Sequence, residues 1–171
     1  AIGRFGADLA AAPALLQYPR FGGDRYVHGP ATDIHDVRTG AVLPMPPGLP
    51  LAYDRARPRV FVGRLDGIWG VDVVTGFATV AIPRAVFDVT TCVHATSADV
   101  LLCAFARPDG QRDIVRSGPA GARLVATTRF GDPALETWVV TPDASSVYLD
   151  HCRRAAGPGT GTCMERDVAR I

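Results

Sequence analysis

The chain has 171 residues, 18 basic and 17 acidic side chains and a formal net charge of +1. Such a balance excludes binding to nucleic acid or an anionic membrane through bulk charge, which needs a segregated basic face. An apolar content of 47% with only 20% charged residues excludes a disordered chain, and no run approaches the roughly 18 uninterrupted apolar residues of a membrane helix.

All 18 basic residues are Arg, Lys and Asn are absent, and of the acidic residues only Glu136 and Glu165 are Glu. This bias points to a GC-rich coding sequence, as in a bacterium. Gly (18) and Pro (14) are spread along the whole chain, so turn formers abound where good helix formers are scarce. The single helical candidate, residues 7–16, carries Pro13 in its middle, and no substantial helix is expected.

In chain order, short apolar runs come in pairs around polar turns. Leu15-Leu16-Gln17-Tyr18 precedes Arg25-Tyr26-Val27, and Leu51-Ala52-Tyr53 precedes Arg59-Val60-Phe61-Val62. Residues 89–93 then precede Asp99-Val100-Leu101-Leu102, and Trp138-Val139-Val140 precedes Ser146-Val147-Tyr148-Leu149. Each pair is followed by a second hairpin. Asp36-Val37-Arg38-Thr39-Gly40 returns as Asp72-Val73-Val74-Thr75-Gly76, with Thr-Gly closing a turn both times. Ile114-Val115-Arg116-Ser117-Gly118 is a looser third copy, and Asp167-Val168 starts a fourth. The repeating unit is therefore a four-stranded antiparallel meander over residues 14–46, 50–83, 87–128 and 136–171. A two-sheet sandwich also has short strands with frequent turns, but gives no reason for the same turn sequence to recur at the same place in successive meanders. A period of about 35 to 50 residues is that of a β-propeller blade.

The stretch Val71-Asp72-Val73-Val74-Thr75-Gly76-Phe77-Ala78-Thr79-Val80-Ala81-Ile82-Pro83 resembles the outer hairpin of YVTN-type β-propeller repeats, and Thr141-Pro142-Asp143-Ala144-Ser145-Ser146-Val147-Tyr148-Leu149 resembles their inner turn. The resemblance spans residues 14–171 and departs most in the third and fourth copies. It implies an all-β fold of about 3.75 propeller blades and a binding scaffold, and it carries over no catalytic residue. Because closed propellers have more blades, the chain is expected to be an arc of a larger or oligomeric propeller whose open edges are covered by a protein partner or by a second copy.

The cysteines bear on the compartment. Cys92 and Cys103 are equidistant from the middle of a turn, and Cys152 and Cys163 bracket a Gly- and Pro-rich loop. Of the three possible connectivities the two local ones are expected, and they place the chain outside a reducing cytosol, extracellular or at the cell surface. No Cys-x-x-Cys supports a zinc site, and no metal or other cofactor is expected.

Catalytic signals are sparse. His28, His35 and His94 fall within strands, where a structural imidazole is the ordinary role, and His151 beside Asp150 is an isolated pair. No Gly-x-Ser-x-Gly occurs, and Gly157-Pro158-Gly159-Thr160-Gly161 has no following Lys to make a phosphate loop. The loops joining second to third strands, and each unit to the next, form a rim rich in Arg and Asp. It contains Arg64, Leu65, Asp66, Arg107, Asp109, Arg112, Arg129, Phe130, Asp132, Arg153 and Arg154. Arg grips carboxylates bidentately and is enriched at protein interfaces, so Arg64, Asp66, Arg107, Asp109, Arg112, Arg153 and Arg154 are the expected ligand-binding set. The function expected is that of a non-catalytic extracellular binding or assembly module. The alternative is a propeller hydrolase or lyase acting on an extracellular glycan or lactone.

Overall fold

A computed structural model describes residues 19–29, 33–84, 88–129, 137–141, 143–155 and 163–170, excepting the side chains of 128–129, 137–140, 149–155 and 163–169. The described chain is all-β. Sheet one comprises β1 (Arg20–Phe21), β2 (Tyr26–His28), β3 (Asp33–Asp36) and β4 (Val42–Pro44), and sheet two β5 (Leu49–Tyr53), β6 (Arg59–Arg64), β7 (Gly67–Asp72) and β8 (Ala78–Ile82). Sheet three comprises β9 (Val89–Ala95), β10 (Val100–Ala106), β11 (Gln111–Gly118) and β12 (Gly121–Arg129), and sheet four β13 (Thr137–Val140), β14 (Val147–Ala155) and β15 (Cys163–Arg170). Every strand pairs antiparallel with its neighbour in sequence, so each sheet is a meander, three of four strands and one of three. One 3-10 turn, Thr96–Ala98, joins β9 to β10. The expected strand at residues 15–18 and the helical candidate at 7–16 lie outside the described residues.

The recurring Asp-Val-x-Thr-Gly builds the same turn twice. Asp36 Oδ1 accepts the amides of Arg38 and Thr39, as Asp72 Oδ1 accepts those of Val74 and Thr75. The Thr hydroxyl then accepts the amide two residues on, Ala41 or Phe77. Gly40 and Gly76 close the loop at φ 75° and 73°, in the left-handed region a side chain disfavours. The third copy lacks the Asp that gathers these amides. Ile114-Val115-Arg116-Ser117-Gly118 instead completes β11 and enters a two-residue hairpin, with Gly118 opposite Gly121.

Alternation along the strands distributes side chains to three apolar clusters between successive sheets. On β6, Val60 and Val62 join Phe21, Tyr26 and Ile34 of sheet one, while Phe61 faces the other way toward Leu101, Cys103 and Phe105 of sheet three. On β10 the remaining face, Val100, Leu102 and Ala104, packs with Val147 of sheet four. Each fully buried aliphatic or aromatic side chain contributes about 1.5–3 kcal/mol. Burial of both faces explains why β10 reads as Val-Leu-Leu-Cys-Ala-Phe-Ala with no polar alternation.

The sheets are also joined at their first strands. The Gly22 and Gly23 amides donate to the carbonyls of Asp54 and Arg55, and the Tyr53 hydroxyl lies 2.5 Å from His28 Nδ1. Burial pushes the Tyr53 phenol up to about 12. β5 lies against β9, and β9 against β13.

Cys92 lies opposite Cys103 across the β9–β10 ladder, with Cα atoms 4.2 Å apart, and the two form the expected disulfide. The expected Cys152–Cys163 bond falls on side chains outside the described residues. In the backbone ladder Cys152 is opposite Arg166, and Cys163 opposite Ala155.

Candidate functional site

The densest polar cluster of the described residues lies between sheets two and three. It grows from the turns that follow their first strands. Asp54 ends β5's hairpin arm, and its Oδ1 accepts the amides of Ala56 and Arg57, fixing the turn. Arg59 opens β6, and its Nη2 donates to Asp54 Oδ2 at 2.6 Å and to Asp99 Oδ1 across the junction. Asp99, at φ 50°, ends the turn after β9 and also accepts Arg57 Nη1 at 2.7 Å. His94 of β9 sits beneath them with its ring 4.9 Å from that of Phe61, and the Arg59 guanidinium lies 4.9 Å from the same Phe61 ring.

Charge in this cluster is internally balanced. Burial works to raise the Asp99 carboxyl, but the hydrogen bonds from Arg59 and Arg57 outweigh it and hold the group at about 2. Burial lowers the His94 imidazole, against the pull of Asp54 and Asp99 and with help from the Arg59 charge. Its side chain is 1% exposed, and Nδ1 has no hydrogen-bond partner, standing 3.7 Å from Asp54 Oδ1. Asp54, His94 and Asp99 each place one donor atom within 4.8 Å of the others. As ligands for an ion they fit poorly: the two carboxylates approach opposite ring nitrogens, Asp54 at Nδ1 and Asp99 at Nε2, and the Arg59 guanidinium already bridges them. A ring so enclosed is screened from solvent. The arrangement ties two sheets together.

The rim residues have varied surroundings. Arg64 donates Nε to the Pro47 carbonyl at 3.1 Å and lies 5.1 Å from the Trp69 ring, while Asp66 accepts the Trp69 indole N–H at 3.0 Å. Arg107 and Asp109 belong to the β10–β11 turn, where Asp109 accepts the Gln111 amide. Arg107 and Arg84 converge on Asp113, at 3.3 and 3.1 Å, and Arg107 also approaches Asp109 at 3.6 Å. Arg112 is a buried residue of β11 rather than a loop side chain. The side chains of Arg129, Phe130, Asp132, His151, Arg153 and Arg154 lie outside the described residues. The structure thus brings Arg107 and Asp109 together and sets Arg64 and Asp66 about Trp69.

In the sequence Asp54-Arg55-Ala56-Arg57-Pro58 reads only as a polar turn and His94 as a strand imidazole. The available signal was an Asp opening that turn and an Arg, Arg59, closing it. The partner Asp99 comes from the next repeat, 40 residues on, and only the stacking of the sheets brings it near.

The exposed apolar groups have an equally definite distribution. Val42, Val80, Leu124 and Val125 lie on fourth strands, and Val37, Val74 and Phe77 on third-to-fourth-strand connections, whereas Leu49 opens the first strand β5 and Tyr148 lies on β14. Leu65 stands on the β6–β7 turn. No protein-family model matches the chain, and no curated protein matches it in sequence.

Proposed function

We propose that the chain is a non-catalytic binding or assembly module built on β-propeller blades of the YVTN type, acting outside a reducing cytosol. The observation that carries this reading is that most exposed large apolar side chains of the described residues, Leu49 and Tyr148 excepted, lie on fourth strands and connecting turns, while the main titratable cluster is spent on inter-sheet ion pairs. Association surfaces need displayed apolar anchors, whereas catalysis needs reactive groups free to meet a substrate.

Blade geometry is supported by the face-to-face succession of four meanders and by the contact of β5 with β9 and of β9 with β13. A sandwich of two sheets has one inter-sheet core, and here three separate clusters lie between sheets. Among the described residues β15 pairs on one side only, where β3, β7 and β11 each carry a fourth strand. The Cys92–Cys103 bond fits an oxidising compartment, and no described helix is long and apolar enough to cross a membrane.

The test is a panel of glycosidase, lyase and lactonase substrates, run with calcium and with chelator, beside light scattering of the same protein. Absence of turnover with measurable association is expected. Turnover abolished by chelation, with stoichiometric bound calcium, would replace this reading with that of a propeller hydrolase.

A further inference from the structure

Asp-Gly occurs twice in the chain, as Asp66-Gly67 and Asp109-Gly110, and Asn is absent. Both pairs lie where a second strand turns into a third, the first between β6 and β7 and the second between β10 and β11. An Asp carboxyl group before Gly is open to attack by the next peptide nitrogen, because Gly has no Cβ to shield it. The two turns meet that chemistry differently.

At the first turn the glycine is fixed. Gly67 is buried and opens β7 opposite Arg64, and a Cβ on it would come within 2.7 Å of the Ile82 carbonyl oxygen of β8. Asp66 Oδ1 is held by the Trp69 indole N–H at 3.0 Å, three residues ahead. Rotating this peptide toward the carboxyl group would part β7 from its neighbours.

At the second turn the backbone is open. Arg107, Pro108, Asp109 and Gly110 are all exposed, and a Cβ on Gly110, at φ 78°, would meet nothing within 4 Å. The Gln111 amide donates to Asp109 Oδ1 at 3.0 Å, which folds the carboxyl group back along the Gly110 peptide. That donor stands where negative charge develops when Cγ is attacked, and Arg107 Nε lies 3.6 Å from the same oxygen. One bond opposes the attack, from the Gly110 amide to the Arg107 carbonyl at 3.0 Å. It closes only the exposed turn, so it opens without disturbing the ladder.

We propose that Asp109 is a modification site at which the chain rearranges its own backbone. With the carboxyl group protonated, Gly110 N bonds to Asp109 Cγ, the Cγ–Oδ2 bond breaks, and the Oδ2 hydroxyl leaves with the amide proton as water. The cyclic imide then takes up one water. Cleavage of the N–Cγ bond restores aspartate, whereas cleavage between the nitrogen and the Asp109 main-chain carbonyl carbon routes the backbone through Cγ as isoaspartate. The rearranged turn is one carbon longer, so the Gln111 amide loses its acceptor and Arg107 shifts relative to Asp113, the carboxylate it now meets at 3.3 Å. This inference goes beyond the module reading and stands whether or not a partner is found.

Oxygen-18 water tests it, because each passage through the imide leaves one heavy oxygen in the residue. The native chain and the same chain unfolded in guanidinium are held at mildly acidic pH until the unfolded chain carries label at both Asp-Gly pairs. Peptides are then read by tandem mass spectrometry, with isoaspartate distinguished by electron-transfer fragmentation. The unfolded chain should label Asp66 and Asp109 alike. In the native chain Asp109 should run ahead of Asp66 by about fivefold or more, the factor that one net hydrogen bond is worth, and should appear as both aspartate and isoaspartate. A native chain that leaves Asp109 unlabelled, labels it without isoaspartate, or labels Asp66 equally overturns the proposal.

Discussion

Arg59 joins three groups that no single repeat contains. Its guanidinium meets Asp54 of its own turn, Asp99 of the next sheet and the edge of His94, with Asp54 only 1% exposed. Removing one member of a buried pair leaves an uncompensated charge. Arg59→Ala is therefore expected to cost about 3 kcal/mol in urea unfolding. Arg57→Ala, whose side chain is 55% exposed, is expected to cost under about 1 kcal/mol.

His94 sets a pH dependence of definite sign. Its folded pKa lies below the ordinary 6.5, so the unfolded chain binds the proton more readily and stability rises with pH through the window ending near 6.5. His94→Gln should flatten that part of the profile in denaturant midpoints measured from neutral to mildly acidic pH. The Asp99 carboxyl, at about 2 against an ordinary 3.8, adds stability that is complete above 3.8 and is lost as pH falls toward 2. A profile level between pH 5 and 7 in the native chain would contradict the imidazole argument.

At the scale of the element, the two Asp-Val-x-Thr-Gly turns permit an internal comparison. Asp72→Ala removes an acceptor from two amides and is expected to cost about 1–2 kcal/mol. Asp36 makes the same bonds and also holds Arg25 at 2.6 Å, which keeps its carboxyl well below the usual range. Asp36→Ala should therefore cost more, and raising the salt concentration should narrow the difference, measurable by thermal unfolding at two ionic strengths.

These turns were legible in the sequence because the bonds that shape them, from backbone amides to the Asp and Thr side chains, close within six residues. So was the opposition of Cys92 and Cys103, which the symmetry of one hairpin dictates. The Asp54–Arg59–Asp99–His94 cluster was not legible, since a spacing of 40 residues carries no periodic signal until the sheets stack. Arg112 shows the same limit in reverse: it reads as a loop charge beside Asp109, yet β11 begins at Gln111 and carries it into the interior.

At the scale of the whole molecule, sheets two and three are apolar on both faces, and each contributes to two of the three clusters. This accounts for an apolar share of 47% in a chain with almost no helix. It also accounts for how readily the strands were found and how poorly their faces could be told apart, because a strand buried on both sides loses its alternation.

The Cys92–Cys103 bond has a mechanical consequence. It joins residues 11 apart on neighbouring strands, so a chain pulled from its two ends cannot pay out the β9–β10 hairpin even after every sheet has ruptured. At 3.3–3.6 Å per extended residue, and less the 4.2 Å that the bridge already spans, the concealed length is roughly 35 Å. Stretching single molecules by atomic force microscopy should give a fully extended contour longer by that amount in the presence of reductant. An identical contour with and without reductant would show that the bond does not bear the load.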